Sequence, residues 1–413
     1  MKVDNIGLGL KAASKIIALQ EGGAGLSHMR FIQDSATGLL PKAIFARSKA
    51  DLVENSFLEL AESALVYYGP AVVGEGIFRK IYSKNLPINL KQKVATPAVE
   101  LLKNKTADNK KVLPIKAAIA LSSLAIPSVE YSLNYIKNLL TLKMFNQGDF
   151  NDIAKLDKNK SVNTDKNERV EKSAKKHILG AAAVFGACLA TSALLYKKGE
   201  NSKALQNFSE LILAPGEKLF KNNDKMKNFA NKYFSIDFAN NNNKLTMSKG
   251  QLTSCVTIGA LGYFGAAKDR GKQNFLEVLF RMPVVGFYII CGNELLEQGF
   301  KKMLVKTGKC KETIGKNLEV PKLDELKTLA AKLQKEKGGN YNEIYKKLLK
   351  QKTLISGVPL LFGIGVMGFF VAAVSRFFTQ YRYDKEKKNI IEENKNSNPF
   401  INKNTPNIFK NFQ

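Results

Sequence analysis

The sequence has few of the side chains that carry enzyme chemistry at neutral pH. Only two of its 413 residues are histidines, His28 and His177, and neither belongs to a recognisable arrangement with Ser, Cys or Asp. The four cysteines stand alone without a C-x-x-C pair, which argues against a disulfide framework or a zinc site. The H-E-x-x-H, G-x-S-x-G and P-loop motifs are missing. We therefore expect a protein that is not an enzyme and that holds no cofactor or metal.

One motif resembles a nucleotide site at first sight. Gly363, Gly365 and Gly368 have the G-x-G-x-x-G spacing of a dinucleotide-binding loop, which needs a preceding strand and an acidic residue about 20 positions later. Here Pro359 precedes the glycines, and residues 354–375 carry no charge at all. Because about 20 apolar residues span a bilayer, the stretch predicts a transmembrane helix. We assign its glycines to helix packing.

Apolar residues elsewhere are concentrated in blocks that Lys- and Asn-rich connections separate. The clearest block, residues 178–196, has no charge and is bracketed by lysine pairs. Ala182, Gly186 and Ala190 recur in it every four residues, and small residues at this spacing let another helix approach closely. A packing face inside a bundle and a plain alanine-rich membrane helix both remain open interpretations.

Four further blocks complete the membrane prediction. Residues 252–267 and 275–292 are joined by a short polar turn and predict a helical hairpin. Residues 63–78 and 113–136 contain charges and prolines, so each is either a kinked span or a re-entrant or interfacial helix. The fold class that follows is all-α, a multi-pass helical membrane protein with about four to six transmembrane helices and basic amphipathic connecting helices.

Membrane segments and polar segments alternate along the chain. We predict an N-terminal polar or amphipathic region (1–55), a membrane-associated region with two candidate spans (56–140), a polar flexible linker (141–177), a transmembrane helix (178–196), a polar loop with an amphipathic helix (197–250), a transmembrane hairpin (251–300), basic amphipathic helices (301–353), a transmembrane helix (354–376) and a disordered Lys/Asn-rich tail (377–413).

The formal net charge of +28 invites a nucleic-acid interpretation. The lysines are scattered through every connecting segment, however, and no DNA- or RNA-binding motif accompanies them. We therefore expect no nucleic-acid partner. We expect the lipid bilayer, with its anionic headgroups, as the main partner, and a protein partner or a second copy of the chain as a further one. The expected location is a membrane, as an integral protein of a bacterial inner or plasma membrane.

Charged residues within or beside the apolar blocks are the candidate functional residues. They are Glu59, Glu62, Glu75, Glu277, Arg281 and Glu294. Burial of such groups is costly unless they pair or face water, so they indicate either a polar pathway or structural ion pairs. Glu277 and Arg281 have helical i,i+4 spacing, which predicts a pair on one helix face.

Three functions fit these features. The leading hypothesis is a non-enzymatic scaffold, anchor or envelope-organising factor, and the main alternative is a channel or secondary transporter that uses the intramembrane carboxylates. A third is an amphitropic protein that is soluble first and inserts later. A weak internal similarity accompanies the transporter alternative, because F-L-E followed by a Pro-Val-rich stretch occurs at residues 57–59 and again at 275–277.

Overall fold

The structure, a computed structural model, describes residues 8–21, 23–104, 106–156, 164–241 and 245–397, and these ranges contain helices but no β-strand. The α-helices in chain order are α1 (Leu8–Glu21), α2 (Gly23–Ile44), α3 (Lys49–Tyr68), α4 (Arg79–Ser83), α5 (Ile88–Val94), α6 (Ala98–Lys103), α7 (Ala107–Phe145), α8 (Phe150–Ile153), α9 (Thr164–Lys198), α10 (Lys203–Leu213), α11 (Pro215–Leu219), α12 (Asp224–Tyr233), α13 (Lys249–Arg270), α14 (Lys272–Phe287), α15 (Asn293–Lys306), α16 (Leu323–Lys337), α17 (Tyr341–Phe362) and α18 (Val371–Ser397). A short 3-10 helix covers Phe238–Asn241.

Three π-helical segments interrupt the long helices. They are π1 (Gly69–Phe78), which joins α3 to α4, π2 (Tyr288–Gly292), which joins α14 to α15, and π3 (Gly363–Phe370), which joins α17 to α18. Each one contains or follows a proline, namely Pro70, Pro283 or Pro359. Proline cannot donate a helical hydrogen bond, and π-helical turns often mark functional positions in helices.

The long helix α7 forms the centre of the bundle. Thr106 caps its first turn by accepting a hydrogen bond from the Asn109 backbone, and Asn146 ends it in the left-handed conformation at φ 54°. Helices α3, α9, α10 and α13 pack around it. The short helices α5 and α6 close its N-terminal half with an apolar cluster that includes Val94 and Leu101.

Within the described ranges, four helical stretches are long and apolar enough to cross a membrane, namely Ala107–Phe145, Thr164–Lys198, Lys272–Lys306 and Tyr341–Glu393. They contain the expected segments 113–136, 178–196, 275–292 and 354–376. The most apolar window of the first is 78% buried by protein, against 17%, 28% and 28% for the others. One stretch is thus enclosed, whereas three present most of their apolar surface outwards. The segments 63–78 and 252–267 are also helical but are not among these four.

The helices extend further than the polar composition suggested. The region expected to be a flexible linker, 141–177, contains the end of α7, the short α8 and the beginning of α9, whereas residues 157–163 lie outside the described part. The expected disordered tail is helical up to Ser397, and residues 398–413 lie outside the described part. In 301–353, α17 runs without a break from its amphipathic half into the apolar stretch. Strong helix formers such as Lys and Glu explain these extensions.

Candidate functional site

A cavity of about 350 Å³ lies between the helices of the bundle. Helices α2, α3, α7, α13, α14, α15 and α18 line it together with residues of π2 and π3. Part of its wall is apolar, with Val66, Leu252, Val256, Met282 and Val285. Its volume is at the lower end of the range for small-molecule sites, which also combine apolar walls with a few polar groups.

Charged side chains face this cavity from six helices. They are Arg30, Asp34 and Lys42 on α2, Glu59 and Glu62 on α3, Glu130 on α7, Lys249 on α13 and Arg281 on α14, with Glu294 and Glu297 on α15. Glycines make room for two of the carboxylates, because a Cβ atom at Gly38 would collide with Glu59 and one at Gly259 would collide with Glu130. The close helix approach at these points therefore depends on the missing side chain.

Some of these charges form ion pairs. Lys42 pairs with Glu59, and the Lys42 ammonium also lies 3.4 Å from the Tyr263 hydroxyl. At the more exposed side of the cavity, Glu294 accepts from Lys249 at 3.2 Å and from Lys232 at 3.0 Å. Glu297 pairs with Lys301 at 2.6 Å. The structure thus places two of the predicted residues, Glu59 and Glu294, in ion pairs on the cavity wall.

The remaining cavity charges lack a partner of opposite sign among the described residues. Within the described ranges, no Lys, Arg or His nitrogen lies within 4.0 Å of Asp34, Glu62 or Glu130. Asp34 accepts a 2.5 Å hydrogen bond from Ser63, but Oε2 of the 4% exposed Glu130 has no hydrogen-bond partner. Arg281, 9% exposed, has no ion pair or hydrogen bond in the described part of the chain.

Arg30 also lacks a carboxylate partner, although its guanidinium is hydrogen-bonded. It donates to the Thr246 hydroxyl at 3.0 Å and to the Met247 carbonyl at 3.3 Å. In the described residues, the cavity therefore contains three carboxylates that have no cationic partner and two guanidinium groups that have no carboxylate partner. Of the two guanidinium groups, that of Arg30 is hydrogen-bonded and that of Arg281 is not.

Next to the cavity lies a second cluster of buried charges, and here the charges are paired. Arg47, in the turn between α2 and α3, donates to both oxygens of Glu277 at 3.2 and 3.3 Å. Glu54 accepts from Arg270 at 2.6 Å and lies 3.7 Å from Lys137. These pairs join α3 and the preceding turn to α7, α13 and α14. Removal of one member of such a buried pair typically costs about 3–5 kcal/mol.

The electrostatics of this cluster match its geometry. Burial opposes the charged form of Arg47, but the carboxylates of Glu277 and Asp51 raise the pKa of its guanidinium above the ordinary value. Burial likewise opposes ionisation of Glu54, but Arg270 and Lys137 hold the pKa of that carboxyl below its ordinary value. We conclude that both groups are charged in the folded protein at neutral pH.

The expected i,i+4 pair between Glu277 and Arg281 is not formed. Glu277 pairs with Arg47, which precedes it by 230 residues, while Arg281 lines the cavity. The prediction was wrong because it considered one helix alone, whereas α14 packs against other helices that supply a better-placed arginine. Glu75, on π1, is 7% exposed and does not line the cavity, so the structure separates it from the other predicted carboxylates.

The predicted packing residues divide into two groups. A Cβ atom at Gly368 would lie 2.6 Å from the Thr37 carbonyl oxygen of α2, and one at Gly363 would collide with the Tyr288 hydroxyl, so both lie at close helix contacts. Gly365 has open space around it. The small residues of α9, namely Ala182, Gly186 and Ala190, are exposed on its outward face. Within the described residues, no atom lies within 4 Å of a Cβ placed at Gly186, so no described helix packs there.

Sequence reasoning missed the contribution of α2. Arg30, Asp34 and Lys42 fall in a region that the composition marked only as polar or amphipathic. Arg30, Asp34, Gly38 and Lys42 recur every four residues and therefore lie on one helix face. This pattern could have predicted a polar face on α2. Glu130 lies in the apolar block 113–136 and was not among the candidate residues.

The two histidines lie away from the cavity. His28 is exposed and bonded to the Tyr68 hydroxyl at 2.6 Å, and His177 is bonded to the Tyr131 hydroxyl at 2.7 Å and stacked on Tyr135. In the described part of the chain, no group of three or more His, Cys, Asp or Glu residues has an arrangement that could hold a metal ion. The cavity thus offers charged and hydrogen-bonding groups beside an apolar wall.

Comparison of the chain with protein-family models, with curated proteins and with solved structures finds no match. The inference of function therefore depends on the chemistry of the cavity and on the distribution of apolar surface around it.

Proposed function

We propose that this chain is a multi-pass membrane protein that binds a small charged solute in its central cavity and carries it across the bilayer as a secondary transporter. The observation that carries the proposal is the reversal of the usual soluble pattern. Charged side chains without partners lie inside the bundle, and apolar side chains cover much of its outside.

The outer faces of the candidate spans support a membrane environment. Large exposed apolar residues occur along α9, α14 and the α17–π3–α18 stretch, including Leu179, Val184, Leu194, Leu279, Phe280, Phe287, Leu361, Phe370 and Phe377. Soluble monomers rarely expose contiguous apolar patches larger than a few hundred Å². A bilayer would cover this surface and leave the lysine-rich connections in water or among headgroups.

The interior supports solute binding. A charge at membrane depth is costly and is usually paired or directed into a water-filled cavity. The cluster around Arg47 and Glu54 follows the first solution, whereas Asp34, Glu130 and Arg281 follow the second. If the charges served only to hold helices together, pairing all of them would be more stable.

Interrupted helices at the cavity support transport specifically. Tyr288 and Ile289 of π2, with Met367 and Gly368 of π3, line the cavity. Transporters commonly place irregular helix segments at a midplane site between related halves. The two F-L-E stretches fit this picture, because each lies in an α-helix that leads into a π-helical segment. Each also contains a glutamate that forms an ion pair with a residue near the end of α2, Glu59 with Lys42 and Glu277 with Arg47.

The scaffold or anchor function remains a second candidate. Its specific support is the exposed small-residue stripe of α9, which would suit close packing against a partner helix or a second copy. This function needs no solute and no flux. The amphitropic alternative predicts a soluble pool of the protein. This pool would appear in the supernatant when membranes are pelleted and washed with carbonate.

The first test is alternating accessibility of the cavity. Val256→Cys, on the cavity wall, is introduced into a full-length chain whose native cysteines are replaced by serine, and the protein is reconstituted into liposomes. A membrane-impermeant thiol reagent added from either side should label it. Leu361→Cys, which is 67% exposed on an outward apolar face, is the matched control and should react from neither side.

Solute flux completes the test. Protein-dependent uptake of at least one solute from a mixture of amino acids, amines, organic acids, sugars and nucleosides would support the transporter. If Val256→Cys reacts from neither side and no solute moves, the transporter proposal is wrong and the scaffold function is favoured.

A further inference from the structure

The cavity contains buried groups of both charges whose hydrogen-bonding capacity is unused. The Oε2 atom of Glu130 is buried without a hydrogen-bond partner, and the Arg281 guanidinium lines the same cavity without an ion pair or hydrogen bond in the described residues. Lys42, Glu59, Lys249 and Glu294 also face the cavity, but they already form ion pairs. Recognition must therefore use the groups whose hydrogen-bonding capacity is unused.

The carboxylates of the cavity that have no cation are suited to an ammonium group. Asp34 and Glu62 line it together with Glu130, and no cationic side chain of the described ranges lies within 4.0 Å of the three carboxylates. An ammonium has three N–H donors and no acceptor, so it can satisfy several carboxylates at once. The arrangement does not form a metal-ligand group, which favours an organic cation over a bare metal ion.

The Arg281 guanidinium is suited to a carboxylate. Arginine presents a planar fork of donors that matches a carboxylate through two parallel hydrogen bonds. A purely cationic ligand would leave the buried Arg281 guanidinium without a partner, and a purely anionic ligand would leave Glu130 without one. Each case would keep a buried polar group unsatisfied, which costs free energy.

We infer that the solute is a small amino-acid-like zwitterion, whose ammonium is received by Glu130 with Asp34 and Glu62 and whose carboxylate is received by Arg281. This inference rests on the proposed function, since it names the substrate class of the same cavity. The apolar wall at Val66, Leu252 and Val256 would contact the hydrocarbon part of the solute.

The test uses matched triads of ligands with the full-length protein in detergent. Each triad contains an α-amino acid, the amine that lacks its carboxylate and the acid that lacks its amine, such as leucine, 3-methylbutylamine and 4-methylpentanoic acid. Triads built on alanine, phenylalanine and lysine sample other side chains. Thermal shift and calorimetric binding should rank the amino acid of at least one triad at least about tenfold above both truncated forms.

Two variants assign the ends of the solute. Glu130→Gln should weaken binding of the amino acid by about tenfold or more and remove its advantage over the acid, while its advantage over the amine remains. Arg281→Gln should show the reverse pattern. Glu75→Gln and Arg79→Gln, which change charges outside the cavity, are matched controls and should change neither preference.

A merely structural role would lower binding of all three ligands together and would not exchange the preferences. If Glu130→Gln does not fold, Glu130→Asp keeps the charge and should keep the preference with weaker binding. If another solute class binds or is transported while every triad shows no advantage for the amino acid, the zwitterion inference is wrong and the transporter proposal stands. If no solute binds and the cavity is inaccessible from both sides, the transporter proposal and this inference are both wrong.

Discussion

The buried pair between Lys116 and Asp237 offers the sharpest test of how this bundle is held together. Both side chains have no exposed surface, and the Lys116 ammonium lies 2.9 Å from an Asp237 oxygen. The same ammonium donates to the Val94 carbonyl at 2.8 Å and lies 4.4 Å from the centre of the Phe238 ring. The pair thus connects α7 to α5 and to the segment after α12. Lys116→Met removes the charge and keeps an unbranched side chain.

The expected cost follows from what the substitution leaves behind. Asp237 becomes a buried carboxylate without a cation, and the Val94 carbonyl loses a donor. Removal of one member of a buried pair costs about 3–5 kcal/mol. Asp237 retains hydrogen bonds from the backbone N–H groups of Ala98 at 2.7 Å and Ala239 at 3.1 Å, so we expect the lower end, about 3 kcal/mol.

The assay is equilibrium unfolding of the full-length protein in mixed detergent micelles, followed by circular dichroism. The double variant Lys116→Met/Asp237→Asn should cost less than the sum of its single variants by roughly 1–3 kcal/mol, because it leaves no unpaired charge. Lys93→Met is the matched control. Its partner Asp108 is 2.6 Å away, but the two side chains are 33% and 44% exposed, so it should cost at most about 1 kcal/mol.

Two outcomes would refute this reasoning. The first is a Lys116→Met variant no less stable than Lys93→Met, since burial would then add nothing to the cost of losing a cation. The second is strict additivity in the double variant, since the two charges would then not be coupled. Either result would mean that the Lys116–Asp237 ion pair does not hold α7 in place.

Three further substitutions test other parts of the structure by the same unfolding assay. Gly368→Ala should destabilise the protein by about 1–3 kcal/mol, because its Cβ meets a backbone carbonyl of α2. Gly365→Ala, which has open space around it, should be neutral or stabilise the protein by up to about 1 kcal/mol. Equal effects of the two substitutions would contradict the close contact at Gly368. Burial opposes ionisation of Glu54, but neighbouring cations lower the pKa of its carboxyl below the ordinary value. The stability that this carboxylate contributes is complete above its unfolded-state pKa and is lost as pH falls through the lower folded-state pKa. Glu54→Gln should therefore lose less stability below about pH 4.5 than the parent protein does, and an unchanged dependence of stability on pH would contradict this. Glu277→Gln should destabilise more than Arg281→Gln because only the former breaks a bidentate pair, and the opposite order would contradict the assigned partners.

The sequence was sufficient to predict the helical class and the positions of the long apolar helices. An uncharged run such as 178–196 has few alternatives to a helix, because about 20 apolar residues satisfy their own backbone only in that form when water is absent. The predicted hairpin also corresponds to two packed helices, α13 and α14, whose turn is made by Gly271 at φ 123°. This conformation favours glycine.

The partners of the charges could not be predicted in the same way. Arg47 and Glu277 are 230 residues apart, and Glu54 and Arg270 are 216 apart. Local spacing contains no information about such pairs, which depend on how the helices pack. The i,i+4 rule for Glu277 and Arg281 failed for this reason. By contrast, the four-residue spacing on α2 was a local pattern and could have indicated a polar helix face.

The two charge clusters lie in the same helices but differ in how their charges are satisfied. In the cluster around Arg47 and Glu54, each carboxylate has a cation within 4.0 Å, and the pairs connect five segments of the chain. In the cavity, Glu130 and Arg281 have no such partner among the described residues. A sequence selected only for stability would replace the second set by apolar residues, since unpaired buried charges destabilise a fold. We infer that the unpaired cavity charges find their partners on a ligand, and this is the physical basis for preferring a solute-binding function to a purely structural one.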